Sequence, residues 1–171
     1  MIGSAETDRL VIRPMRETDE GAFIRGISDA ELRAMYGFPA EMDEDISSRI
    51  FRRFCALQDA YVLEDRHMGD MIGFLLDVAP ELPEEILAGL PGNGRTLAYA
   101  VFPEYQRKGY MREALREHIR RLTETTDTAY IHCGHFPENE PSEKLLRSLG
   151  FREYARHTAG KKEIVDEILF R

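Results

Sequence analysis

Cysteine is scarce in this chain, and long apolar runs are missing from it. Cys55 and Cys133 lie far apart and form no Cys-x-x-Cys unit, which argues against a disulfide framework and for two reduced, partly buried thiols. No apolar stretch is long enough to cross a bilayer. The opening Met1-Ile-Gly-Ser-Ala-Glu6 lacks the basic start and apolar run of a secretion signal, so the expected location is the cytoplasm. Positive charge is in deficit: Lys and Arg total 23 against 31 Asp and Glu, a net charge of −8. That balance argues against nucleic acid or an anionic membrane as partner, because either selects a basic surface. A cationic amine suits it better. Internal repeats and low-complexity segments are also missing.

What is present is apolar residues in short periodic segments. With 171 residues, 43% of them hydrophobic, the chain can close one sizeable core, and a single domain over residues 1–171 is expected. Leu10, Val11 and Ile12 read as a strand, and Thr18 or Asp19 can cap a helix carrying Phe23, Ile24 and Ile27. A second helix follows Pro39. It covers residues 43–57, with Ile46, Ile50, Phe54 and Leu57 on one face and Arg49, Arg52 and Arg53 outside it. Residues 60–64 and 71–78 read as an antiparallel hairpin turning at His67-Met-Gly-Asp70, and residues 97–102 as another strand. A helix over 109–122 then leads into a strand at 128–133, a connection suited to a parallel crossover. Asn139 or Ser142 can start the next helix, Gly150 suits its end, and strands near 151–157 and 163–170 finish the chain. Residues 79–94, rich in Pro and Gly, are too many for a tight turn. They read as an ordered excursion or a lid, with a helical turn at 85–90.

The most informative stretch is Val101-Phe-Pro-Glu-Tyr-Gln-Arg-Lys-Gly-Tyr-Met-Arg-Glu-Ala-Leu115: an apolar strand, a turn, a Gly-bearing basic loop and an amphipathic helix. This layout builds an anion site. The first N–H groups of a helix have no intrahelical acceptor and the macrodipole favours negative charge, so phosphate oxygens can bind between Gln106 and Arg112. Gly109 allows close approach to the backbone, and Arg107, Lys108 and Arg112 add positive charge. Lys108 and Arg112 equally suit a solvated helix face.

Gln106-Arg-Lys-Gly-Tyr-Met111 after Val101-x-Pro103 resembles the acetyl-CoA pyrophosphate loop of the GNAT acetyltransferases, usually Gln/Arg-x-x-Gly-x-Gly/Ala. Met111 stands where the second small residue would be, which implies a tighter phosphate bed. Asn139-Glu-Pro-Ser142 with Leu149-Gly-Phe151 resembles the family's Asn-x-x-Ser helix and closing Gly-Phe. Thr7-Asp-Arg-Leu-Val-Ile-Arg-Pro14 resembles the opening strand of the RimJ/RimL-like branch, which acetylates protein N-termini. The resemblance implies an α/β (α+β) single domain: a mixed, mostly antiparallel sheet with helices on both faces and a central parallel strand pair. It also implies acetyl-CoA as cofactor, coenzyme A as product, and an amine acceptor, in a monomer or homodimer. A protein N-terminal α-amine leads among acceptors, with a small amine (polyamine, amino acid or antibiotic) as rival. A non-catalytic acyl-CoA-binding or regulatory domain is the alternative of a different class.

The same resemblance places pantetheine between the strand ending at Val101 and the strand ending near Cys133, bonded to the backbone of Tyr99, Ala100 and Val101. N–H groups there would polarise the thioester carbonyl. The tyrosine that usually protonates the thiolate falls at Leu146, so Ser142 is implied as the donor to sulfur and Asn139 as a ligand of the pantetheine amide. Both residues equally suit a plain helix cap. For the general base, residues 97–101 hold no carboxylate. Glu138, His135 and Tyr99 are the nearest by topology, and a water chain is a further route. An α-amine, with a reference pKa of about 8, needs less help than a lysine near 10.4, so the missing base favours a low-pKa amine. No metal is expected at His132-Cys-Gly-His135, because strand alternation turns His132 and Cys133 to opposite faces and no fourth ligand follows. Two acidic clusters, Glu41, Asp43, Glu44 and Asp45, and Glu81, Glu84 and Glu85, suit solvated faces. The family's acceptor groove flanks both regions, which implies that either could attract a cationic amine.

Overall fold

The computed structural model describes residues 3–57 and 59–171; Met1 and Ile2, on which part of the N-terminal reading rests, lie outside them. In chain order the elements are β1 (Ala5–Glu6), β2 (Leu10–Pro14), α1 (Glu20–Gly26), α2 (Ala30–Tyr36), α3 (Glu44–Ala56), β3 (Ala60–Asp65), β4 (Met71–Val78), α4 (Glu84–Leu87), β5 (Gly94–Val101), α5 (Tyr110–Thr125), β6 (Tyr130–His135), α6 (Glu140–Ser148), β7 (Arg152–Ala159) and β8 (Lys162–Phe170). The strands form a mixed sheet in the order β1-β2-β3-β4-β5-β6-β8-β7. It is mostly antiparallel, with β5 and β6 parallel, the expected α/β class. By its contacts the chain divides into two units, Met1–Leu76 with Tyr99–Glu117, and Asp77–Ala98 with His118–Arg171.

In the first unit, β1 to β4 pair antiparallel in sequence order. The β3/β4 hairpin turns where expected. Asp65 Oδ1 accepts from the N–H groups of His67 and Met68 at 2.9 and 3.0 Å, and Gly69 takes the left-handed φ of 75° that closes the turn. Val62, Leu63, Phe74 and Leu75 are buried, and the Phe23 ring stands 5.4 Å from both Phe51 and Phe74. That aromatic cluster corrects the reading of α3. Its buried face carries Ser47, Phe51 and Phe54, while Ile46 and Ile50 are only half-buried, because the rings of α1 and β4 draw Phe51 inward. The sequence reading also passed over α2, whose ends are marked by Asp29, accepting from Leu32 N–H at 2.8 Å, and by left-handed Gly37. The expected second helix is thus the third. Asp19 does not cap α1 through its side chain. Arg13 takes its carboxylate in a fork at 2.8 and 2.9 Å, with Arg16 N–H at 2.8 Å.

In the second unit the parallel ladder has the rungs Gly94↔Tyr130, Arg95↔Ile131 and Thr96↔His132. Gly94 is required there, since a Cβ would overlap the Tyr130 ring. β8 lies between β6 and β7, antiparallel to both. Residues 79–94 are an ordered excursion pinned by buried Leu82. Its helical turn, α4, comes earlier and is shorter than the expected 85–90, because Pro83 suits the position just ahead of a helix start. α6 begins and ends as expected: Asn139 Oδ1 accepts from Ser142 N–H at 3.2 Å, and Gly150 has φ 99°.

Candidate active site

The loop that opens α5 lies within the first unit. Arg107 has φ 61° and Gly109 φ 80°. Left-handed residues alternating along a turn aim successive N–H groups into one concavity, an arrangement that binds anions. The first bond of the helix runs from Glu113 N–H to the Gly109 carbonyl at 3.2 Å. The N–H groups of Tyr110, Met111 and Arg112 ahead of it are those a helix start leaves without intrahelical acceptors. Met111, which stands where the second small residue would be, is buried at 7% exposure. Lys108 Nζ donates to the Glu104 carbonyl at 2.9 Å and Gln106 Nε2 to the Val101 carbonyl at 3.0 Å. Both side chains therefore brace the turn between β5 and α5. Arg107 and Arg112 are exposed.

A residue that sequence reasoning missed completes this brace. Arg9 donates through Nη1 to the Lys108 carbonyl at 2.8 Å and through Nε to Glu113 Oε2 at 2.7 Å, and its guanidinium stacks 4.5 Å from the Tyr110 ring centre. Glu113 also accepts from Thr7 Oγ1 at 2.6 Å and Arg9 N–H at 3.0 Å. Burial pushes the Glu113 carboxyl up, but these bonds from Thr7 and Arg9 outweigh it and hold the group below the usual range. Arg9 was quoted within the N-terminal strand motif; its role there had no sequence signal beyond charge.

Tyr99, Ala100 and Val101 also belong to the first unit, on β5. β5 alternation turns Tyr99 and Val101 to one face and Ala100 to the other. Glu138, His135, Asn139 and Ser142 belong to the second unit. Glu138 is exposed. His135 is buried and its Nδ1 bonds the Phe136 carbonyl at 2.9 Å; since a carbonyl only accepts, Nδ1 carries the proton. Its Nε2 stands 3.6 Å from Glu167 Oε1, and among the described residues neither that nitrogen nor either Glu167 oxygen has a hydrogen-bond partner. Leu146 is fully buried. Burial pushes the Cys133 thiol far up, which makes it an inert core residue rather than a nucleophile.

Two surface concavities in the first unit lie elsewhere. One of about 490 Å³ is lined by Glu17, Glu20, Phe51, Arg52, Cys55 and Ala56. The other, about 590 Å³, includes Glu41 and Asp43 of the first acidic cluster, with Arg33. Among the described residues no helix is long and apolar enough to cross a membrane, and none of their His, Cys, Asp and Glu side chains form a group suited to holding a metal ion.

The sequence profile of the acetyltransferase (GNAT) domain matches residues 9–152. The chain belongs to the GNAT acetyltransferase family. Solved structures agree on the fold. A GNAT-family acetyltransferase of Bacillus anthracis superposes with TM-score 0.79 at 16% identity, covering 98% of each chain. An acetyltransferase of Agrobacterium tumefaciens gives 0.79 at 17%, covering 100% of this chain and 96% of the other. A ribosomal-protein-S5-alanine acetyltransferase of Vibrio fischeri gives 0.73 at 17%, covering 98% and 96%. Among curated proteins, no sequence matches the chain significantly.

Proposed function

We propose that the chain is an acetyl-CoA-dependent N-acetyltransferase, one domain over residues 1–171, working in the cytoplasm on a primary amine, with protein N-terminal α-amines first among acceptors. The observation that carries this reading is the left-handed Arg107/Gly109 turn opening α5, a backbone cradle for a pyrophosphate braced by Arg9 through the Lys108 carbonyl. Backbone donors from Gln106 to Arg112 hold the phosphates. The backbone of Tyr99, Ala100 and Val101 holds the pantetheine arm and polarises the thioester carbonyl. Ser142 donates to the departing thiolate, while Asn139 serves both the α6 cap and the pantetheine amide. The α-amine preference rests on analogy with the N-terminal strand motif and with the Vibrio fischeri enzyme's named substrate.

The test is acetyl-CoA consumption across a panel of N-terminal peptides, polyamines, amino acids and aminoglycosides, with product masses read by mass spectrometry. Acetylation confined to peptide α-amines is the expected outcome. Turnover of small amines alone moves the acceptor class. Tight coenzyme A binding with no turnover on any amine would make the chain an acyl-CoA-binding domain, the reading to which fully buried Leu146 in place of a tyrosine lends weight.

A further inference from the structure

A buried polar chain in the second unit has no part in the roles assigned above. Thr96 Oγ1 lies 2.9 Å from His132 Nδ1, His132 Nε2 lies 3.0 Å from Asp166 Oδ1, and His157 Nδ1 lies 2.7 Å from Asp166 Oδ2. Chemistry orients its bonds to the carboxylate. A carboxylate only accepts, so both imidazoles present N–H to Asp166. A neutral His132 carries its one proton on Nε2 and a lone pair on Nδ1, to which the Thr96 hydroxyl donates. The Thr96 oxygen keeps its own lone pairs for another donor.

Strand geometry keeps this chain apart from the packed helices of its unit. Register puts Arg95, Ile131 and Cys133 with Glu167 on one face of β5, β6 and β8, and Thr96, His132 and Asp166 on the other. α5 touches the first face through His118, whose Nε2 lies 2.9 Å from Asp77 Oδ2, the carboxylate bonded by Arg95 at 2.5 Å. α6 touches it through Arg147, whose Nε lies 4.0 Å from Glu167. Asp166 is fully buried, whereas Thr96 and His157, at the two ends, stay partly exposed. Along β5 the residues after Thr96 on its own face are the small Ala98 and Ala100. Tyr99, three residues on in β5, is the first residue assigned to pantetheine.

We propose that Thr96, His132 and Asp166 form the proton acceptor for the amine, with His157 holding the second Asp166 oxygen. The proposal rests on the acetyltransferase reading and supplies the base that residues 97–101 lack. An N–H of the incoming ammonium gives its proton to Thr96 Oγ1 as the Thr96 proton passes to His132 Nδ1, and the imidazolium is stabilised by Asp166. The free amine then attacks the thioester carbonyl. The C–S bond breaks, the sulfur leaves as thiolate, and the second N–H proton of the adduct goes to it, giving amide and coenzyme A. His132 returns its proton to solvent after release. Thr96 touches the acceptor; His132 and Asp166 act through it.

The experiment compares ethylamine with 2,2,2-trifluoroethylamine, acceptors of similar size that differ in basicity, at neutral pH. Ethylamine arrives protonated and trifluoroethylamine mostly free. Thr96→Val should lower kcat/KM for ethylamine about 100-fold and leave that for trifluoroethylamine within twofold, and Thr96→Ser should restore the former. An equal loss on both amines, or no loss on either, overturns the relay and leaves acetyl transfer standing. A parent that acetylates neither amine while acetylating peptides calls for the same comparison on a peptide with an α-amine and its α-trifluoromethyl analogue, judged by the same ratios. A parent with no turnover on any amine overturns the acetyltransferase reading and the relay together. Independently of kinetics, ¹⁵N spectra of the parent must show His132 protonated on Nε2 with a bare Nδ1; a proton on Nδ1 alone overturns the relay.

Discussion

Single side chains carry unequal weight in this molecule, and buried charge separates them. Arg13, Asp19 and Glu64 form a network in which each carboxylate meets the guanidinium at 2.7 to 2.9 Å, so no polar atom of the fork is wasted. Glu167 is the opposite case. It is fully buried and its carboxylate forms no hydrogen bond among the described residues, with His135 Nε2 at 3.6 Å and Arg147 at 4.0 Å, the latter already held by Glu143 at 2.6 Å. Desolvating a carboxylate without partners costs free energy that a neutral amide avoids. Glu167→Gln keeps the shape, removes the buried charge and turns an amide toward His135 Nε2, so it should raise the urea midpoint by the equivalent of about 1 kcal/mol. A lower midpoint would show that the two side chains form an ion pair. Gly109 is instructive for the choice of substitution. A Cβ there would stand 3.6 Å from Arg9 Nη2, so an aspartate would find a cation beside it, and a test of the loop by added negative charge would be blunted by Arg9.

At the scale of elements, the proposed function asks the start of α6 to serve folding and chemistry at once. Asn139 Oδ1 satisfies Ser142 N–H, and Pro141 sits where a helix needs no N–H. The two functions separate by mutation. Asn139→Ala should cost about 1 kcal/mol of stability through the lost cap, read in chemical denaturation. Ser142→Ala should lower kcat about tenfold with little change in coenzyme A affinity, because a bond to the sulfur strengthens only as thiolate charge develops. A normal kcat would reduce Ser142 to part of the cap. Elements marked by turn and cap chemistry were legible in the sequence: the β3/β4 hairpin at His67-Met-Gly, the crossover through α5, and α6 between Asn139 and Gly150. α2 was passed over although Asp29 and Gly37 bracket it, since its single buried residue, Leu32, gives no periodicity to read. The face of α3 was read one residue off at Ile46 and Ile50, because which of two neighbouring apolar rows is buried depends on rings in α1 and β4. The turn that opens α5 was legible because its geometry is set by local backbone. Thr96, His132, Asp166 and His157 were not, because their contacts come from strands brought together only by folding.

For the molecule as a whole, a net charge of −8 makes acid the condition that discriminates among its carboxylates. Burial pushes the Asp19 carboxyl up, yet the hydrogen bonds from Arg13 and from Arg16 N–H, with the charge of Arg13, hold it below the usual range. Glu113 is held down in the same manner by Thr7 and Arg9. A carboxyl with a lowered folded-state pKa contributes stability that is fully present above its unfolded value, near 4 for these groups, and is lost as pH falls through the lower folded value. Both groups therefore support the first unit at neutral pH and withdraw that support in acid. Asp19→Asn removes the charge that Arg13 holds in a largely buried fork, and should destabilise the protein by about 2 kcal/mol at pH 7. Because the parent loses the same contribution on protonation, the gap between parent and variant should close as pH drops below 4. Urea titrations of both proteins from pH 7 to pH 3 read this directly. A gap that persists at pH 3 would place the value of Asp19 in shape and hydrogen bonding rather than in charge, and would leave Glu113 with Arg9 as the acid-sensitive tie between the N-terminal segment and the loop that opens α5.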